Sequence, residues 1–118
     1  MGQNNREIGG YYETRAAEFL IQHGYEILQF NYRTRFGEID LIAKDGAYLV
    51  FIEVKYRSNC KMGFPEEAVN QQKQAKIFRC AQVYFMEHHL SELTPCRFDV
   101  VTVFKDKINL WRNAFGGI

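Results

Sequence analysis

Apolar residues recur at helical spacing early in the chain. Ile8, Tyr12, Ala16, Phe19 and Leu20 form one stripe, which predicts a helix over 5–23. Asn4 or Asn5 suits its cap, and Gly24 stands where a left-handed C-cap belongs. The pattern then shifts to period two. Strands are predicted over 25–34, 37–44 and 47–57, with Asp45-Gly46 as a hairpin turn between the last two. Pro65, Glu66 and Glu67 suit the start of a second helix running to about His89. A Val- and Phe-rich strand follows over 97–104, and 107–112 predicts a short last one. The order α-β-β-β-α-β-(β) predicts a mixed β-sheet flanked by helices, an α/β domain spanning 1–118 as one unit.

The third strand changes character halfway along one face. Its even positions, Tyr48, Val50, Ile52, Val54 and Tyr56, stay apolar or aromatic. Its odd positions begin with Leu49 and Phe51, then turn charged at Glu53, Lys55 and Arg57. Such a strand starts in a core covered on both faces and ends in a polar cleft. A two-residue Asp45-Gly46 loop pairs Lys44 with Ala47, Ile42 with Leu49 and Asp40 with Phe51. Asp40 then shares the face of Glu53 and Lys55, diagonal to Glu53, and Glu38 stands directly opposite Glu53. A loop one residue longer would send Asp40 to the other face.

Asp, Glu and Lys in this grouping suit phosphodiester hydrolysis. Hard carboxylate oxygens hold Mg²⁺ or Mn²⁺, and a lysine beside the ion can orient or deprotonate water or neutralise developing charge. There is no zinc-type His/Cys set, no phosphate-binding P-loop and no serine nucleophile elbow. Cys60, Cys80 and Cys96 are odd in number and widely spaced, as expected of reduced thiols. His88-His89 reads as a pair of surface histidines.

Net charge is only +1, so the chain is no polycation that coats nucleic acid. Its distribution is uneven. Residues 54–80 carry six basic side chains (Lys55, Arg57, Lys61, Lys73, Lys76, Arg79) against two acidic ones. No apolar run is long enough to span a membrane, and the polar N-terminus lacks a signal-peptide layout. A cytoplasmic protein is therefore expected.

Asp40 followed after twelve residues by Glu53-Val54-Lys55 resembles the PD-(D/E)XK, restriction-endonuclease-like nuclease superfamily. The whole chain looks like the YraN-like family of small bacterial proteins. That likeness rests on Gly9 with Glu13, on Gly37-Glu38-Ile39-Asp40-Leu41-Ile42, on Phe51-Ile52-Glu53-Val54-Lys55-Tyr56-Arg57, and on Arg97-Phe98-Asp99-Val100-Val101. The resemblance implies a restriction-endonuclease-like sheet and a site of Asp40, Glu53 and Lys55. It also implies Glu13 as a further acid from the first helix, as in archaeal Holliday-junction resolvases.

The expected activity is Mg²⁺- or Mn²⁺-dependent cleavage of DNA, with branched or structured DNA as the candidate substrate. Asp40, Glu53 and Glu13 would be metal ligands and Lys55 a catalytic group. A two-fold homodimer would suit symmetric junction cutting. Arg57, Lys73 and Lys76 are candidate phosphate contacts, and Glu38 and Gln72 candidate supports. Asp99 is expected to be a structural partner of Arg97, and Phe78, Tyr84 and Phe85 to be core. Two rival readings remain: a nucleic-acid-binding module with little or no hydrolysis, and a small protein-interaction domain.

Overall fold

The computed structural model describes residues 5–57 and 69–116. The elements are α1 (Asn5–Gln22), β1 (Glu26–Thr34), β2 (Gly37–Asp45), β3 (Tyr48–Tyr56), α2 (Gln71–Glu87), β4 (Cys96–Phe104) and β5 (Lys107–Phe115). The strands form one sheet in chain order. Neighbours are antiparallel except β3 and β4, which run parallel and are joined by the connection that contains α2. Among the described residues no helix is long and apolar enough to cross a membrane.

The two described helices take opposite faces. Ala16, Ala17 and Leu20 of α1 pack on Leu41, Ala43, Val50, Ile52, Val101 and Val103. Ile77, Cys80, Ala81 and Tyr84 of α2 pack on Ile42, Leu49, Phe51 and Val100. Strand alternation deals the side chains between these layers, so β3 is apolar on both faces for its first half. Phe78 and Phe85 pack against the α2-side cluster, as their helical spacing predicted. His88 and His89 are exposed. Cys80 and Cys96 are free thiols, and Cys60 lies outside the described residues.

Two boundaries differ from expectation. The second helix does not run through residue 70. Asn70 is extended and its side chain accepts the Lys73 N–H at 2.8 Å, so the helix begins at Gln71. Pro65, Glu66 and Glu67, the expected starters, lie outside the described residues. The last strand is longer than expected, reaching Phe115, whose ring packs against Phe78 and Phe98.

The β2–β3 register also differs. Asp45 pairs with Tyr48, Lys44 with Leu49 and Ile42 with Phe51. The loop is therefore Gly46-Ala47, not Asp45-Gly46. Gly46 has φ +61, and no positive φ occurs at Ala47, the pattern of a type II′ turn with glycine first. Asp45 is thereby free to accept from Arg97 at 2.6 Å. The slip is two residues, so parity survives and Asp40 still shares the Glu53 face.

Near that turn the sheet buries a closed polar network. Asp99 is fully buried and takes Arg97 Nε at 3.1 Å, the Tyr25 hydroxyl at 2.8 Å and the backbone N–H of Asn113 at 2.8 Å. Arg97 also donates to Tyr25 at 2.9 Å, and its guanidinium lies over the Tyr25 and Tyr48 rings. Asp99 thus has the structural role its sequence suggested.

Candidate functional site

Across the middle of the sheet, β2 and β3 part company. Their pairing ends at Leu41 and Ile52. One step further the partners would be Asp40 and Glu53, directly opposed rather than diagonal. Two carboxylates there disfavour a continued ladder. Instead Asp40 Oδ2 accepts the Val54 N–H at 2.8 Å, so a side chain replaces a backbone rung. Beyond this point β3 is paired with β4, and β2 with β1. Glu38, expected opposite Glu53, is partnered with Arg33 of β1 and accepts from it at 2.5 Å.

Glu53 is buried and ion-paired to Lys73 Nζ at 2.8 Å. The Asn70 cap sets Lys73 in the first turn of α2, above the α2-side face of the sheet. Asp40 is pushed far above the ordinary carboxylate range. Burial is the main cause and the neighbouring Glu53 charge the second. The Val54 N–H pulls the other way.

The two lysines diverge. Burial would lower Lys73, but the charge and hydrogen bond of Glu53 outweigh it and its proton is held more tightly than usual. Lys55 goes the other way. Burial lowers it, and Lys73, close enough to hydrogen-bond, lowers it further. One lysine is therefore a fixed cation and its neighbour an amine readier to give up its proton.

Glu13 reaches the same place from the opposite layer. It sits one turn before Ala16 and Ala17 on the buried stripe of α1. Burial raises its proton affinity, and the charges of Glu38 and Glu53 add to that. Hydrogen bonding to Asn31 and Asp40 works against it. Its Oε2 is buried without a hydrogen-bond partner.

Sequence reasoning missed Asn31. Flanked by the pairs Phe30↔Leu41 and Tyr32↔Ile39, it stands beside Asp40 in the β1–β2 ladder. Its φ is +52, a backbone state that costs a non-glycine residue about 1 kcal/mol or more. An Asn within a strand prediction was a weak signal of it, since Asn tolerates this conformation best.

A hollow of about 320 Å³ opens over these groups, lined by Asp40, Glu53, Glu38, Gln72, Lys73 and Lys76 among others. Lys76 and Gln72 are exposed at its rim. Lys55 and Glu13 do not line it. Arg57 is half-buried, with its Nε lacking a hydrogen-bond partner. Among the described residues, no three His, Cys, Asp or Glu side chains are close enough to form a finished metal cage. Lys73 holds the position over Glu53 that a cation would compete for.

The sequence profile of the uncharacterised protein family UPF0102 matches residues 12–103. The chain belongs to this family. Among its UPF0102 relatives, one from Lachnoclostridium phytofermentans is 52% identical over 112 residues, covering 94% of this chain and 95% of the relative. A second, from Caldicellulosiruptor bescii, is 48% identical over 119 residues, covering 95% and 99%. A third, from Clostridioides difficile, is 44% identical over 114 residues, covering 95% and 99%. The UPF0102 match runs from Tyr12 to Val103, so it contains Glu13, Asn31, Asp40, Glu53, Lys55 and Lys73.

Proposed function

We propose that this UPF0102 protein is a metal-dependent phosphodiesterase acting on DNA, with a restriction-endonuclease-like arrangement of its site. The observation that supports it best is the break in the β2–β3 ladder. There Asp40 and Glu53 face each other beside two lysines of opposed character. A sheet that served packing alone would gain by an apolar pair at that position.

The donor set fits a hard divalent cation. It consists of carboxylate oxygens, and one of them, Glu13 Oε2, is buried without a partner. Asp40 and Glu53 would hold the ion, and Glu13 would have to draw closer to serve as the third acid. When bound, Mg²⁺ or Mn²⁺ would polarise the phosphate and lower the pKa of a coordinated water.

The protein's own groups do the rest. Lys55, with its weakened hold on a proton, is suited to take one from the attacking water. Lys73 stays charged and is suited to a phosphate oxygen once released from Glu53. The first turn of α2 lines the hollow and adds the positive end of a helix. Lys76, at the rim of the hollow, would extend this anion-attracting surface, and Arg57 would be a further phosphate contact.

The test is cleavage of duplex, single-stranded and junction DNA with Mg²⁺ or Mn²⁺. Wild type is compared with Asp40→Asn, Glu53→Gln and Lys55→Gln. Cleavage by wild type alone is expected. Equal cleavage by all four proteins, or none by wild type on any substrate with either metal, overturns the proposal. Binding without cleavage would favour the nucleic-acid-binding alternative.

A further inference from the structure

We propose that the β1–β2 turn and the neighbouring side of α2 form a track for the phosphodiester backbone of a duplex DNA arm leading away from the Asp40–Glu53 hollow. This rests on the reading of that hollow as a nucleic-acid site. It adds which surface carries the substrate and in what form.

The surface begins where the hollow ends. Gly37, Glu38 and Lys76 line the first hollow. Arg33, Arg35, Phe36 and Arg79 line a second, of about 600 Å³. The turn is docked firmly. A Cβ at Gly37 would lie 3.6 Å from Lys76 Cβ and 3.8 Å from Cys80 Sγ, and Gly37 has φ +150. Thr34 adds a contact to Cys80 Sγ at 3.1 Å, and its Oγ1 accepts the Phe36 N–H at 3.0 Å. On α2, Lys73, Lys76 and Arg79 follow at intervals of three residues, about 9 Å in all along the helix.

Among the described residues, some of these cations already have acidic partners and others do not. Lys73 is taken by Glu53 and Arg33 by Glu38. Glu87, the acid among the described residues lining the second hollow, accepts from the Tyr32 hydroxyl. Among the described residues no carboxylate lies within ion-pair distance of Arg35, Lys76 or Arg79. These three flank the hollow with no counter-charge among the described residues, which suits a polyanion.

The geometry of Phe36 favours backbone over bases. The Arg35 guanidinium lies over its ring at 4.8 Å and that of Arg79 at 5.2 Å. Held against an aromatic ring, a guanidinium keeps its N–H edge free for phosphate oxygens. A ring already covered by cations offers little surface to an unpaired base. Single-strand binders need such surface, whereas a duplex presents phosphates and keeps its bases stacked.

The experiment is binding of the full chain to a labelled duplex in a metal chelator, over a range of salt. Wild type is compared with Arg35→Gln/Arg79→Gln, which keeps side-chain stems on Phe36. The control is Lys105→Gln/Lys107→Gln, which removes the same charge from the β4–β5 turn. Loss of two phosphate contacts should reduce the slope of log affinity against log salt by about 2, and lower affinity by about tenfold or more at low salt. The control should match wild type, and matching thermal melts should show that all three are folded. An unchanged slope in the Arg35/Arg79 variant, or an equal loss in the control, overturns the track. Single strands bound more tightly than duplex, or polyglutamate bound with the same arginine dependence, overturns the duplex assignment. The readout needs no cleavage. A reduced slope on DNA that is never cut leaves the track standing and removes the hydrolysis proposal. Wild-type cleavage with an unchanged slope does the reverse.

Discussion

The sheet buries two polar clusters, and they are built on opposite principles. Near the β2–β3 turn, Asp99 has an arginine, a tyrosine hydroxyl and a backbone N–H, and Arg97 is bound at Asp99, Tyr25 and Asp45. Across the break in the sheet, Asp40 and Glu53 repel, Glu13 has an oxygen without a partner, and Lys55 is crowded by Lys73. The first cluster is complete without any ligand. The second would be relieved by one. Buried polar networks stabilise when every member is satisfied, and a half-satisfied one is costly unless something else completes it.

The largest expected effects lie in how the two aspartates respond to substitution. Asp99→Ala leaves Arg97 as a largely buried charge without its main partner. It should cost roughly 3–5 kcal/mol, read as a lower urea midpoint. Asp40→Asn should change stability by less than about 1 kcal/mol near neutral pH, because the neutral acid and the amide both offer an oxygen to the Val54 N–H. On the proposed function, the same change should reduce DNA cleavage more than about a hundredfold. If Asp40→Asn unfolds the protein and Asp99→Ala does not, the contrast is reversed and the site reading fails with it.

Proton linkage separates the clusters next. The folded Asp40 carboxyl is raised from 3.8 to about 9, so the folded state binds a proton that the unfolded state has lost. That contribution is complete below about pH 4 and erodes as pH rises toward 9. Its slope is at most about 1.4 kcal/mol per pH unit. Glu13 acts in the same direction. Stability without metal should therefore fall between roughly pH 5 and pH 8, as urea titrations would show, and Asp40→Asn should flatten the fall. Mg²⁺ or Mn²⁺ should flatten it too, because binding displaces the proton. A profile that rises over this range, or is unaffected by Asp40→Asn, would remove the frustrated character of the cluster. Lys73→Gln should act more modestly. It relieves the crowding that lowers Lys55, so the ascending limb of the cleavage rate should move to higher pH.

Much of this was legible in the sequence, and the misses have physical causes. The switch of the odd face of β3 from Phe51 to Glu53 marked the place where the sheet opens. Parity placed Asp40 beside Glu53 because the actual slip was an even number of residues. The slip itself was hidden. Asp45-Gly46 satisfies the usual hairpin signal, but Arg97, 52 positions later, claims Asp45 and leaves Gly46 to lead the turn. The break at Asn70 was not foreseen, because the side chain of a lone asparagine between Val69 and Gln71 caps the helix there, while Pro65 and the acids after it lie outside the described residues. Lys73 was read as a candidate phosphate contact, but its Glu53 partner depends on that cap. Glu13 entered through the family resemblance. Its place at the edge of the buried stripe was legible in the helical spacing, three, four and seven residues before Ala16, Ala17 and Leu20.

The smallest expected effect concerns a pair of asparagines. Asn31 beside Asp40 and Asn113 beside Asp99 both have φ +52. At Asn113 the backbone does the work, aiming its N–H at Asp99. Glycine keeps that N–H and adopts positive φ without strain, so Asn113→Gly should shift stability by no more than about 0.5 kcal/mol. Asn31 contributes a side chain, since its hydrogen bond draws down the proton affinity of Glu13. Asn31→Gly should be equally mild in stability, yet Glu13 should titrate higher, as carboxyl NMR shifts would report. The acid would then be harder to ionise, and half-maximal Mn²⁺ binding should move to higher metal concentration. Equal behaviour of the two variants in the Glu13 titration would mean that Asn31 serves only the backbone, and that the two clusters differ less than their hydrogen bonds imply.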